Sequence, residues 1–104
     1  MAHCRVYRNP SVPNRQRVPY LLDIQSDLYD TFRTRIAVPL VNAEYLRKQV
    51  PRLQPLFNIE GRSVVMSTTD LAVIPANVLR EMVADLSARR SDIIAALDLL
   101  FTGS

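Results

Sequence analysis

Glycine is scarce here, with two in 104 residues. So few glycines exclude a phosphate-cradling loop, and neither the P-loop nor the dinucleotide-binding fingerprint occurs. A single cysteine, Cys4, excludes an internal disulfide and fits a reducing cytoplasm. The only histidine, His3, precedes it directly. In a strand, neighbouring side chains point to opposite faces, which disfavours a Cys–His pair and offers no metal cluster. No long apolar run is present. The best, near Ile93 to Leu100, is interrupted by Asp98 and too short to span a bilayer. The N-terminus is polar and broken by Pro10 and Pro13, unlike a signal peptide. Acids are missing before Asp23, while Arg5, Arg8, Arg15 and Arg17 all precede it. A basic edge of this kind attracts an acidic partner or keeps the protein soluble.

What is present suffices for one domain over residues 1–104. Hydrophobic residues make up 48% of the chain, enough for a core at this length. The net charge is +3, from 13 basic and 10 acidic residues, too mild an excess to mark a nucleic-acid footprint by itself.

The one long helical signal is Ser87 to Ser104. Leu86, Ile93, Ile94, Leu97, Leu100 and Phe101 fall at helical spacing and predict one buried stripe, with Ser87 as N-cap and Gly103 at the C-terminal stop. The exposed tail, Phe101 to Ser104, is a candidate contact surface.

Ahead of it the chain reads as strands. His3 to Tyr7 alternates; Arg8 to Pro19 is a proline-broken loop; Tyr20 to Gln25 alternates again. Ser26 to Arg33 reads as a polar loop that holds Leu28, Tyr29 and Phe32. Thr34 to Leu40 is the next strand, with Pro39 marking an edge or an end. It suggests an antiparallel pair with Tyr20 to Gln25. Asn42 to Val50 predicts a short helix capped by Asn42 and stopped by Pro51. Leu56 to Ile59 and Ser63 to Thr68 flank Glu60-Gly61-Arg62, a tight hairpin turn. Leu71 to Ile74 is a short apolar run, and Ala76 to Leu86 predicts a turn of helix. About five or six short strands followed by one helix give an α+β class: a small, curled, barrel-like antiparallel sheet with a long C-terminal helix.

Few residues carry chemistry. Asp23, Asp27 and Asp30 gather around one loop but lack the glycine and distal glutamate of a calcium site, so a solvated loop is the plainer reading. Arg33 or Arg35 with Asp23 or Asp30 is the one arrangement that could cleave RNA, the arginine stabilising charge and the acid moving protons. A surface ion pair is the simpler expectation.

The run LLDIQSDLYDTFRTRIAVPL, Leu21 to Leu40, resembles the signature of the CcdB family of bacterial toxins. MSTTDLAVIP (Met66 to Pro75), VADLSARRSDIIAALDLLFTG (Val83 to Gly103) and RVYRN (Arg5 to Asn9) are similar to it too, in the family's order. The resemblance implies a CcdB/MazF-like barrel sheet with a C-terminal helix, a homodimer, and no catalytic residue, metal or cofactor. It implies the toxin half of a type II toxin–antitoxin pair. Such a toxin binds the A subunit of DNA gyrase and traps the enzyme with its DNA cleaved. It meets DNA only indirectly, through the gyrase or antitoxin complex, and no membrane. The family's gyrase contact falls here on Leu28, Tyr29, Ser87, Ser91, Asp98, Phe101, Thr102, Gly103 and Ser104. A CcdA-like antitoxin, whose flexible acidic segment folds on binding, suits Arg8, Arg15 and Arg17. The best-known member ends Trp-Gly-Ile, where this chain reads Thr102-Gly103-Ser104. Two alternatives remain from the residues: a MazF- or Kid-like ribonuclease toxin, and a non-toxic relative that still binds an antitoxin.

Overall fold

In a computed structural model, residues 4–25 and 32–103 are described. Alternation in the sequence becomes seven antiparallel strands. They are β1 (Arg5–Arg8), β2 (Tyr20–Asp23), β3 (Thr34–Asn42), β4 (Leu56–Ile59), β5 (Arg62–Met66), β6 (Ala72–Pro75) and β7 (Met82–Asp85). The helix α1 (Arg90–Thr102) follows. The strand order is β4-β5-β3-β2-β1-β7, and β6 pairs with β3 as well.

β3 is the spine of the sheet. One edge pairs with β2, from Tyr20 opposite Leu40 to Asp23 opposite Ala37. Its other edge is shared: Leu40 to Asn42 face β5, and Thr34 to Ala37 face β6. The expectation that Pro39 ends or edges the strand is corrected, because β3 runs on to Asn42. The reason is positional. Pro39's carbonyl accepts from the Ser67 amide at 2.9 Å, so its missing N–H points to the same side, where β5 has ended and β6 has not begun. The absent donor falls in a gap of the ladder.

One face of the curled sheet makes the core. Cys4 and Val6, Tyr20 and Leu22, Val38 and Leu40, Phe57 and Ile59, and Val64 and Met66 alternate inward from five strands. Ile93 and Ala96 of α1 close over them. Each fully buried aliphatic side chain contributes about 1.5–3 kcal/mol, which is what seats the helix. On the opposite face Ala37, Val41 and Val65 are buried as well.

Several local expectations change. The β4–β5 turn is two residues, Glu60 and Gly61, both left-handed with φ of 54° and 77°. That turn matches the twist of a hairpin. The helix expected over Asn42 to Val50 shrinks to a 3₁₀ turn, Ala43–Tyr45, although Asn42 does cap it, accepting from the Glu44 amide at 3.1 Å. Ala76 to Leu86 holds a 3₁₀ turn, Ala76–Val78, and then strand β7, whose Ala84 sits opposite Val6. A free edge of β1 outweighed local propensity there.

Candidate partner-binding surface

The helix end is built from its first turn. Ser87 does not cap α1 through its side chain. Its amide and hydroxyl both donate to an Asp85 carboxylate oxygen, the amide at 2.8 Å, which holds a 3₁₀ turn, Ser87–Arg89, ahead of the helix. Arg89 Nε donates to Asp92 at 2.7 Å, and its guanidinium stacks 4.6 Å over the Phe57 ring. At the other end Gly103 adopts φ 75°, and its amide returns to the Leu99 carbonyl at 3.0 Å. That is the left-handed stop that favours glycine.

The buried stripe is narrower than the spacing predicts. Ile93 and Ala96 are buried and Leu97 and Leu100 half-buried, but Ile94 is 39% and Phe101 70% exposed. Helical geometry explains the split. Ser91, Ile94, Asp98 and Phe101 lie three, four and three residues apart, on one solvent-facing stripe, with Thr102 beside it. Thr102's hydroxyl donates to the Asp98 carbonyl at 2.7 Å. So Asp98, Phe101, Thr102 and Gly103 share the exposed C-terminal end of the helix, while Ser91 and Ser87 sit exposed at its N-terminal end. Leu28, Tyr29 and Ser104 lie outside the described residues. Ile94 was missed by sequence reasoning, which placed it inward. The signal was there: Ile94 is three residues after Ser91 and four before Asp98.

The basic N-terminal edge is ordered by Asn9, which is buried. Its side chain donates to the Val18 carbonyl at 2.8 Å and accepts from the Ser11 amide at 2.9 Å, while its carbonyl accepts from Arg15 Nε at 2.6 Å. Arg17 is exposed, and its carbonyl accepts from the Asn42 amide at 2.8 Å. Arg8 is half-buried and already engaged by two surface carboxylates. It donates to Glu81 at 2.8 Å and to Glu60 at 3.2 Å, beside the Tyr20 ring. The Tyr20 hydroxyl donates to the same Glu60 at 2.6 Å. That hydrogen bond, then Arg8, holds the Glu60 carboxyl below its usual range; burial, then Glu60, pushes the Tyr20 phenol up. Burial likewise raises the Cys4 thiol, which keeps it protonated and unreactive.

Between this edge and the β4–β5 turn runs an open groove of about 850 Å³. Arg15, Gln16, Asn42, Glu44, Arg62 and Ser63 line it.

Of the arginine–acid combinations, the structure joins Arg35 to Asp23, at 2.9 Å. The expected surface pair is in fact buried. Both Asp23 oxygens are occupied, one by Arg35 and the other by the Gln25 amide at 3.0 Å. Arg35 also reaches the Gln25 carbonyl at 3.3 Å. Strand β3 puts Arg35 on the face away from the core, where only a partner charge makes its burial tolerable. Asp30 and Asp27 lie outside the described residues, and Arg33 is exposed. Among the described residues no group of three His, Cys, Asp or Glu could hold a metal ion. Also among them, no helix is long and apolar enough to cross a membrane.

A curled half-barrel sheet, closed by a helix whose far side stays exposed, defines a small α+β protein. The chain belongs to the CcdB family: the family model described as CcdB protein matches residues 3–103. It is therefore of a type II toxin family, one that poisons gyrase rather than catalysing a reaction.

Proposed function

We propose that this toxin binds the A subunit of DNA gyrase and traps the cleaved gyrase–DNA complex, without enzymatic activity of its own. The observation that carries the reading is the exposed helix stripe. Phe101 is 70% exposed on a rigid element, with Ile94, Ser91 and Asp98 along the same side. An aromatic anchor among small polar neighbours is what a protein-binding hot spot needs. Membership of the family supports the partner. Leu28, Tyr29, Ser87, Thr102, Gly103 and Ser104 complete the proposed contact.

We further propose that a CcdA-like antitoxin lays its acidic segment on the basic edge at Arg8, Arg15 and Arg17, in the cytoplasm. Arg17 supplies exposed charge, Arg15 is half-buried and held by the Asn9 carbonyl, and Arg8 fixes the edge to the hairpin turn. The chain would act as a homodimer. Phe32, Ile36 and Val73 surround an apolar hollow of about 310 Å³ beside β6, and Val73 is 66% exposed. A second copy would bury such surface with one patch used twice. Of the arginine–acid arrangements behind a MazF-like ribonuclease reading, the one at Asp23 is disfavoured, because both of its buried oxygens already accept hydrogen bonds.

The test is a gyrase assay with purified protein, plasmid and ATP, scored for linear DNA. Stabilised cleavage is expected. Deleting Gly103 and Ser104 should abolish it while the circular dichroism spectrum stays unchanged, because chain ends tolerate change. No cleavage and no loss of supercoiling at high protein concentration would defeat the gyrase reading and favour a non-toxic, antitoxin-binding relative.

A further inference from the structure

We propose that the groove between the N-terminal edge and the β4–β5 turn binds single-stranded nucleic acid along its sugar–phosphate backbone. This would be a contact made by the toxin itself, separate from the helix stripe.

The charge placement is the first ground. Arg15 lines one wall of the groove and Arg62 the other. Arg17 sits against Asn42, another lining residue, and Arg47 and Lys48 follow the 3₁₀ turn that forms the groove's rim. Arg17, Arg47, Lys48 and Arg62 are exposed and make no ion pair among the described residues. Two acids line the groove, and they differ. Glu60 is already engaged by Tyr20 and Arg8, whereas Glu44 is exposed and opposes an anion. Cations on both walls of an open groove track a phosphate backbone, and arginine's planar fork suits phosphate oxygens.

The second ground is the lining. Apart from Ala43 and Gly61 it is wholly polar or charged. A peptide seated by apolar side chains needs anchoring pockets, and this groove has none. The acidic segment proposed for Arg8, Arg15 and Arg17 would be held by charge and would share only Arg15 with the groove lining. Asn42, Ser63 and Gln16 offer hydrogen bonds instead. The third ground is Tyr45, 45% exposed in the same 3₁₀ turn as the lining residues Ala43 and Glu44. An exposed aromatic ring beside a basic groove is a stacking platform for an unpaired base.

Fluorescence anisotropy tests this with the full chain and a labelled single strand of about 20 nucleotides, matched to a groove contact of a few phosphates. Binding should weaken linearly in log–log plots against salt, by about 0.7 per phosphate contacted. Arg62→Gln should weaken it and flatten the slope by about 0.7. Since Arg62 makes no side-chain bond among the described residues, that variant should fold normally. Tyr45→Ala should weaken binding at least fivefold without changing the slope, and Glu44→Gln should tighten it. Three outcomes would overturn the proposal. One is absence of salt-dependent binding. Another is tighter binding to duplex with no effect of Tyr45→Ala. The last is Arg62-dependent binding to polyglutamate but not to the strand, which would assign the groove to an acidic polypeptide. None of them bears on gyrase cleavage, which reads the helix stripe.

Discussion

At the scale of the residue, the Asp23–Arg35 pair is the costliest arrangement to disturb. Neither side chain meets water, so removing one partner strands the other charge. Asp23→Ala should cost about 3–5 kcal/mol in urea denaturation. Replacing both, as Asp23→Leu with Arg35→Met, should recover most of that loss, since apolar substitutes remove the desolvation penalty of two ions. A double variant as unstable as the single one would mean the pair does more than neutralise itself. Glu60 makes a pH-dependent contribution. Its folded pKa lies below its ordinary 4.5, so the stability it confers is present above that value and lost as pH falls through the folded one. Between about pH 6 and pH 3 the parent should therefore lose stability faster than Glu60→Gln, read as the shift of the urea midpoint. Equal slopes would dismiss the Tyr20–Glu60–Arg8 link as a source of stability.

At the scale of the element, the helix divides labour between its two sides. Ile93 is buried and Ile94 is not, although they are adjacent and identical. Ile93→Ala should cost about 2–5 kcal/mol. Ile94→Ala should cost under about 0.5 kcal/mol, yet weaken gyrase poisoning in the cleavage assay. Were Ile94→Ala silent in that assay, the proposed stripe would have to shift toward Thr102. The tail bears on the same element. The family resemblance sets Thr102 where the best-known member carries tryptophan, and truncating a buried aromatic hot spot costs roughly 2 kcal/mol, near thirtyfold in affinity. The strands show a different division. β3 serves three neighbours because Pro39 lies where one neighbour gives way to the next.

At the scale of the whole molecule, three sheet edges stay open among the described residues: β4, β6 and β7. β6 is the one that adjoins an apolar hollow. An apolar open edge invites pairing with another chain. Sedimentation should find a dimer, and Val73→Asp should shift it to monomer while leaving the folded spectrum intact, since Val73 is largely exposed. A dimer that survives Val73→Asp would place the two-fold contact elsewhere, with Phe101 next to examine.

Alternation and spacing in the sequence were enough for the α+β class, the β2–β3 and β4–β5 pairings and the C-terminal helix. These are local signals: periods of 2 and 3.6, a left-handed turn at Gly61, a glycine stop at Gly103. They also turned Asp98 away from the core and pointed to an exposed tail from Phe101, whereas Ser91 entered only through the family resemblance. Other features had no local signature. β7 exists because the free edge of β1 lies beside it, against a sequence that reads as a turn of helix. The split edge of β3 depends on where two distant strands end. Asp23 and Arg35 are twelve residues apart, and only the pairing of β2 with β3 brings them together and buries them. Which of two adjacent isoleucines faces the core was likewise decided by how the helix seats on the sheet. Local periodicity sets which elements form, but long-range pairing sets what each side chain meets, because burial belongs to the assembled surface and not to the chain.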